Sequence, residues 1–140
     1  MEQRRVKAPG LVLDSSILVS LERGAVSPEE IFRPKHSIYV PSVVYAEMLV
    51  GFSLDKNINR AADNRASLDD LIQLAELLPF TATEAESYSE IMHFMRITGT
   101  KRTPIDTMIA ATAKAHDATI LTHDRAADFA GLPGVKVEEV

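Results

Sequence analysis

Short apolar runs of strand length alternate along the chain with longer stretches in which apolar residues recur at helical spacing. Residues 11–13 are predicted as a buried strand, residues 37–40 and 118–122 as strands, and residues 79–81 and 135–137 as two further short strands. Strands that alternate with helices are typical of a parallel sheet covered on both faces. We therefore expect an α/β fold, a three-layer sandwich whose central, mostly parallel sheet is flanked by helices.

Capping residues indicate where several helices begin. Ser15 and Ser16 can cap a helix that follows the first strand. Thr83 and Glu86 form a capping-box pattern, which predicts another helix start at that point. Thr103 stands directly before a proline, and this pairing predicts an N-cap with proline at the first helical position.

The middle of the chain contains one nearly apolar helix and one polar helical stretch. Residues 43–50 leave little polar face, which predicts a buried helix. Residues 57–78 are more polar, and the Asp-Asn-Arg segment at 63–65 is either a solvated face or a break between two helices. Glu47 is the only charged residue in the apolar helix, and a buried, unpaired carboxylate costs several kcal/mol. Either an arginine from elsewhere or a bound cation must offset that cost.

Three other carboxylates stand at the ends of predicted elements. Asp14 closes the first strand, and Asp124 closes the strand at 118–122. Asp106 lies near the start of a helix, where it either completes a capping box with Thr103 or belongs to a site. In open α/β sheets the carboxyl ends of the strands form the edge at which sites lie. We expect these carboxylates and Glu47 to converge at that edge.

Composition narrows the class of protein. The chain, residues 1–140, is expected to be a single domain, and its 46% hydrophobic and 25% charged residues are typical of globular proteins. Zero cysteines exclude disulfides and thiolate metal sites. The basic N-terminus before an apolar stretch resembles a signal peptide, but Asp14 interrupts that stretch and no small-residue cleavage site follows. We expect a cytoplasmic protein without a membrane span. The net charge of −5 argues against a general nucleic-acid coat.

A cluster of four carboxylates requires a cation, because like charges at close range cannot all stay ionised without one. Hard oxygen ligands select Mg²⁺, with Mn²⁺ as the alternative, over zinc. Such an ion polarises a phosphoryl oxygen and lowers the pKa of an attacking water, which suits hydrolysis of phosphodiesters. Ser15, Ser16 and Thr122 are predicted to hold the carboxylates or their waters.

Three segments, LVLDSS, PSVVYAEMLVG and TPIDTMIAATAKAHDATILTHD, resemble in this order the motifs of PIN domains, and most closely those of VapC toxins from type II toxin–antitoxin pairs. The resemblance covers the chain from Leu11 onward, so residues 1–9 would be an N-terminal extension. It implies an Mg²⁺-dependent ribonuclease that cleaves RNA, with a VapB antitoxin as partner and a homodimer as its assembly. The family's catalytic and metal-binding acids fall on Asp14, Glu47, Asp106 and Asp124.

The sequence departs from the family pattern at two positions near these acids. Ser16 stands where the family often has asparagine, and His123 where it often has asparagine or arginine. Neither departure removes a carboxylate. Asp128 is a second choice, after Asp124, for the fourth metal-binding acid. Two alternatives are a catalytically silent PIN-like binding module and a phosphoryl-transfer domain of the HAD or receiver type. Phosphoryl-transfer domains of these types carry a characteristic motif around the aspartate that follows their first strand. The Asp-Ser-Ser sequence at residues 14–16 does not match that motif.

Basic residues lie beside the candidate site in the sequence. Lys101 and Arg102 shortly precede Asp106, and Arg125 directly follows Asp124. Singly, each is most simply a solvated loop charge. As a set, they could contact RNA phosphates around the carboxylates.

Overall fold

The computed structural model of the chain describes residues 9–140, except for the side chain of Ala126. Within these residues the strands are β1 (Gly10–Leu13), β2 (Ser37–Pro41), β3 (Glu76–Leu78), β4 (Thr119–Thr122) and β5 (Lys136–Glu139). The helices are α1 (Ser15–Glu22), α2 (Pro28–Ile31), α3 (Ser42–Leu54), α4 (Ile58–Leu74), α5 (Ala82–Thr98) and α6 (Pro104–Ala115). Two short 3₁₀ turns, Arg125–Ala127 and Phe129–Gly131, connect β4 to β5.

The strands form one sheet in the order β3-β2-β1-β4-β5, and every neighbouring pair is parallel. The chain moves outward from β1 to β3 and then returns to β4 on the other side of β1. Right-handed crossovers in opposite directions place helices on both faces of the sheet, which confirms the predicted α/β sandwich. The reversal makes the carboxyl ends of β1 and β4 a topological switch point, the position where such sheets form sites.

The two strands at the switch point are buried on both faces. Leu11, Val12 and Leu13 of β1 are at most 3% exposed, and Ile120 and Leu121 of β4 are fully buried. Continuous apolar runs of this kind are typical of central parallel strands, and this is why the sequence predicted them well. Leu13 pairs with Leu121 in register, so the residues that follow them leave the sheet side by side.

Helices α3 and α4 differ from the sequence predictions. In α3 only Val44 and Met48 are buried, whereas Val50 is 56% and Leu54 is 75% exposed. The expectation of a wholly buried helix was wrong because Ala46, Val50 and Leu54, spaced four residues apart, lie on one exposed face of the helix. Helix α4 runs without a break through residues 63–65, which therefore belong to a solvated helix face.

Helix α5 begins two residues earlier than predicted. Its capping box is formed by Thr81 and Glu84, not by Thr83 and Glu86. The Thr-x-x-Glu pattern occurs twice in succession, and burial decides between the two, since Glu84 is 3% exposed. Gly99 ends the helix, because it adopts the left-handed conformation with φ of 71°.

Strand β3 was predicted at residues 79–81 and is found at Glu76–Leu78. Only Leu78 of this short strand is buried, so the sequence carries no alternation that would mark it. At the other edge of the sheet, β5 confirms the predicted last strand with slightly different bounds.

An N-terminal extension was predicted at residues 1–9. Residues 1–8 of this segment lie outside the described residues. Pro9 is described, and its carbonyl accepts a hydrogen bond from the Ser37 N–H at 2.9 Å. Among residues 9–140, no helix is both long and apolar enough to cross a membrane.

Candidate active site

Asp14 directly follows β1 and is 4% exposed. Its Oδ1 accepts hydrogen bonds from the Ile17 N–H at 3.1 Å and from the Ser16 hydroxyl at 2.6 Å, and its Oδ2 accepts one from the Thr122 hydroxyl. The aspartate is therefore the N-cap of α1, and the prediction that Ser15 or Ser16 would cap this helix was wrong. The Asp14 carboxylate, one residue before Ser15, reaches the free N–H groups in the first turn of α1.

The hydroxyls around Asp14 also hold the end of β4. Thr122 Oγ1 accepts a hydrogen bond from the Asp124 N–H at 3.0 Å, and Ser16 Oγ accepts one from the His123 N–H at 2.9 Å. Thr122 is 1% exposed. The register of β1 against β4 thus brings the hydroxyls of Ser16 and Thr122 to Asp14.

Glu47 lies in the second turn of α3 and is half-buried. Its Oε1 is buried and has no hydrogen-bond partner, and no arginine in the described part of the chain forms an ion pair with it. Burial raises the pKa of this carboxyl group, and the negative charges of Asp106 and Asp14 raise it further, while hydrogen bonding by Ser15 lowers it. Of the two explanations predicted for this lone charge, the arginine is not found among residues 9–140.

Asp106 occupies the first turn of α6 and is half-buried. Thr103 caps the helix as predicted, since its hydroxyl oxygen accepts a hydrogen bond from the Asp106 N–H at 3.1 Å. In a capping box the Asp106 carboxylate would also accept a hydrogen bond from the Thr103 N–H. That bond is absent from the described contacts of α6. The carboxylate of Asp106 is thus available for the cluster, and its charge acts on Glu47.

Asp124 follows β4 and is exposed. Burial is the main cause that raises the pKa of Asp14, and the negative charge of Asp124 adds to it. Hydrogen bonds from Ser16, Thr122 and the Ile17 N–H oppose this increase. The four predicted acids therefore interact through their charges. The charges of Asp106 and Asp14 act on Glu47, and the charge of Asp124 acts on Asp14.

The acids form a loose cluster. Among residues 9–140, no group of three or more His, Asp or Glu side chains lies close enough to hold a metal ion in this arrangement. Mutual repulsion favours such separation. The donor set nevertheless fits a hard divalent cation, because it consists of carboxylate oxygens and includes the unpartnered, buried Oε1 of Glu47.

A cavity of about 610 Å³ opens beside Glu47, between α1, α3 and α4. Ser15, Glu22 and Asn64 contribute to its wall. Sequence reasoning did not select Glu22, whose pKa is raised by burial against a smaller lowering from Arg23. Its position seven residues after Ser15, two turns along the same helix, is the signal that could have identified it.

The basic residues predicted near the site differ in their surroundings. Lys101 is exposed, and Arg125 is 89% exposed and pairs with Glu139 at 3.0 Å. The Arg102 side chain is 8% exposed and donates from Nη2 to the Asp128 carbonyl at 2.8 Å and to its Oδ2 at 3.2 Å. Asp128, the second choice for the fourth ligand, is therefore engaged by Arg102.

Comparison with known proteins identifies relatives over almost the whole chain. The model of the PIN domain family matches residues 11–132. Ribonuclease VapC1 of Rickettsia felis is 33% identical over 132 residues, which cover 91% of this chain and 94% of the relative. Ribonuclease VapC4 of Mycobacterium tuberculosis is 31% identical over 125 residues, which cover 89% of this chain and 92% of the relative.

Solved structures share the fold. VapBC2 from Rickettsia felis, bound to a DNA fragment from its promoter, matches with a TM-score of 0.83 and 24% identity over 94% of this chain and 98% of that chain. FitAcB from Neisseria gonorrhoeae matches with a TM-score of 0.72 and 26% identity over 91% of this chain and 95% of that chain.

These matches cover the switch point and all four acids, and they favour neither the HAD nor the receiver alternative. The chain therefore belongs to the PIN domain family and is a VapC-type member of it.

Proposed function

We propose that the chain is an Mg²⁺-dependent endoribonuclease, with Mn²⁺ as an alternative ion, and the toxin of a VapBC-type toxin–antitoxin system. The observation that carries the proposal is the Glu47 carboxylate, whose buried Oε1 lacks a partner and whose pKa is raised by burial and by two neighbouring acids. Two relatives that cover most of the chain are named ribonucleases, which supports RNA as the substrate.

Asp14, Glu47, Asp106 and Asp124 would hold the ion. When bound, it would polarise a phosphoryl oxygen and lower the pKa of an attacking water. Ser16 and Thr122 donate hydrogen bonds to the two oxygens of Asp14 and so favour its ionised form against burial. Thr122 also fixes the main chain at Asp124. No protein nucleophile is needed for this hydrolysis.

RNA must be held by local positive charge, since the formal net charge of the chain is −5. Lys101, Arg102 and Arg125 are the proposed phosphate contacts. Arg125 would exchange its exposed ion pair with Glu139 for a phosphate at little cost, because such surface pairs contribute about 0–1 kcal/mol.

A VapB-type antitoxin and a second copy of the chain are the proposed protein partners, and the cytoplasm is the proposed location. Large apolar side chains support contacts with other proteins, since Val50 is 56%, Leu54 is 75% and Ile58 is 80% exposed. The solved neighbour from Rickettsia felis is a VapBC2 complex, which is consistent with an antitoxin partner.

The proposal is tested by incubating purified, antitoxin-free protein with total RNA, with Mg²⁺ or with EDTA. We expect discrete fragments with Mg²⁺ only. Asp14→Asn, Glu47→Gln and Asp106→Asn should each abolish cleavage, and the exposed Asp124→Asn should have a milder effect.

Asp70→Asn, which removes an exposed acid on α4, is the matched control and should cleave as the wild type does. Folded wild-type protein that yields no Mg²⁺-dependent fragments would contradict the enzyme proposal and favour the silent binding module.

A further inference from the structure

A second cavity, distinct from the one beside Glu47, lies between α5 and the segment that leads into α6. Its volume is about 400 Å³. Tyr88, Met92 and Met95 form apolar parts of its wall, and Arg96, Lys101 and Arg102 contribute three cations. None of the ten described residues that line it is acidic, in a chain whose net charge is −5. We call this cavity the α5–α6 groove.

Arg102 provides a second, independent sign of a ligand in the groove. Its side chain is 8% exposed, and its Nη2 and Nε donate to the carbonyls of Asp128 and Ala127. Its Nη1 is buried and has no hydrogen-bond partner. A buried N–H of a charged group is costly when it is left unpaired, so an acceptor from a ligand would stabilise this arrangement.

The aromatic side chain of the groove is held in place by the fold. The ring of Tyr88 meets that of Phe80 edge-on, with centroids 6.2 Å apart. A fixed aromatic ring together with cations is the combination that binds single-stranded nucleic acid, through base stacking and phosphate contacts. The volume is within the range of small-ligand sites, which suits one nucleotide and not a folded domain.

We propose that the α5–α6 groove binds one unpaired nucleotide of an RNA strand, with its base against Tyr88 and Met92 and its phosphate on Arg102 Nη1 and Lys101. This inference rests on the proposed ribonuclease function for the choice of RNA. Pro104 and Thr107 of α6 line the groove, and Asp106 belongs to the same first turn of that helix, so the groove and the proposed cleavage site share this turn. The nucleotide would position the flanking strand, and the groove would contribute to the choice of cleavage site.

The test measures binding, so that it does not depend on cleavage. Fluorescein-labelled single-stranded RNA dodecamers of A, C or U are titrated in EDTA and followed by fluorescence anisotropy. Loss of base stacking in Tyr88→Ala should weaken binding about 10-fold or more, whereas Tyr88→Phe keeps the ring and should bind like the wild type. Lys101→Ala should flatten the salt dependence by a slope of roughly 0.7, the value for one single-strand phosphate contact.

Controls separate the groove from general charge and from misfolding. Arg96→Glu should weaken binding, whereas Lys136→Glu, the same charge change in exposed strand β5, should not. Lys101 and Arg96 are exposed, so their variants test the groove even if Tyr88→Ala does not fold.

Three results would be decisive. If Tyr88→Ala, Lys101→Ala and Arg96→Glu all bind the RNAs as the wild type does, the inference is overturned. It is also overturned if these variants lose binding of an acidic peptide but not of RNA, since the groove would then be a protein-docking site. Groove-dependent RNA binding without any Mg²⁺-dependent cleavage would support the groove and contradict the proposed function alone.

Discussion

At the scale of single residues, the hydroxyl of Thr122 connects two of the four acids. It donates to Asp14 Oδ2 and accepts from the Asp124 N–H, so one buried side chain orders both carboxylate positions. Its role is positioning, because the hydroxyl acts through the acids. The sequence pointed to this residue only by its place at the end of a strand.

Thr122→Val removes the hydroxyl and keeps the shape of the side chain. We expect Mn²⁺ affinity to fall about 10–100-fold, as is typical when a group that orients a ligand is lost. Unfolding should cost about 1–3 kcal/mol less, because the buried oxygen of Asp14 loses a donor. Thr122→Ser restores the hydroxyl and should recover both properties. Equal Mn²⁺ affinity in the Val and Ser variants would show that the hydroxyl does not position the ligands.

Asp14 also predicts a pH dependence of stability. Burial raises the pKa of Asp14 above its ordinary 3.8, so in the ion-free protein the folded state binds this proton more tightly than the unfolded state. The resulting stabilisation is fully present below pH 3.8 and is lost as the pH rises through the raised pKa. In EDTA, Asp14→Asn should therefore gain stability relative to the wild type as the pH rises from about 4 to 8.

Urea unfolding of the two proteins at a series of pH values measures this difference. A difference that is constant with pH, or that grows toward acid, would argue against a raised pKa for Asp14.

At the scale of elements, the start of α5 depends on a buried capping box. Burial raises the pKa of Glu84, but hydrogen bonds from Thr81 and His116 outweigh it, so the net pKa lies below its ordinary value. Glu84 Oε1 is 3.1 Å from His116 Nε2, which links α5 to the end of α6. Glu84→Ala should therefore lower the unfolding free energy by about 1–3 kcal/mol.

Glu86→Ala is the matched control, since Glu86 belongs to the neighbouring Thr-x-x-Glu pattern and is exposed. It should change the unfolding free energy by less than about 0.5 kcal/mol. Equal losses in the two variants, measured by urea denaturation, would mean that burial does not decide which box forms.

Sequence reasoning succeeded for elements whose signals are local. The buried runs that became β1 and β4 and the Thr103–Pro104 start of α6 were predicted correctly, because apolar runs and caps are read from neighbouring residues. It failed where tertiary packing decides. The two successive Thr-x-x-Glu patterns are locally equivalent, and the exposure of Leu54 depends on where the core ends.

At the scale of the whole molecule, the strand order assembles the candidate site. The sequence placed Asp14 and Asp124 at strand ends, but only the order β2-β1-β4 makes those ends adjacent. The isolation of Glu47 in an apolar helix identified it as an unusual charge, and the structure adds the effect of the Asp106 charge on it. The burial of Arg102 against the turn after β4 had no local signal, because it depends on a partner 26 residues away.

Mn²⁺ titration followed by thermal unfolding measures whether these four acids bind one or more divalent ions. Wild-type protein should be stabilised, by about 2.7 kcal/mol at 100 times the dissociation constant. Asp70→Asn should show the same shift, and the Asp14→Asn, Asp106→Asn double variant should show none. A double variant stabilised by Mn²⁺ as strongly as the wild type would contradict ion binding by the four acids, because the ion would then bind elsewhere.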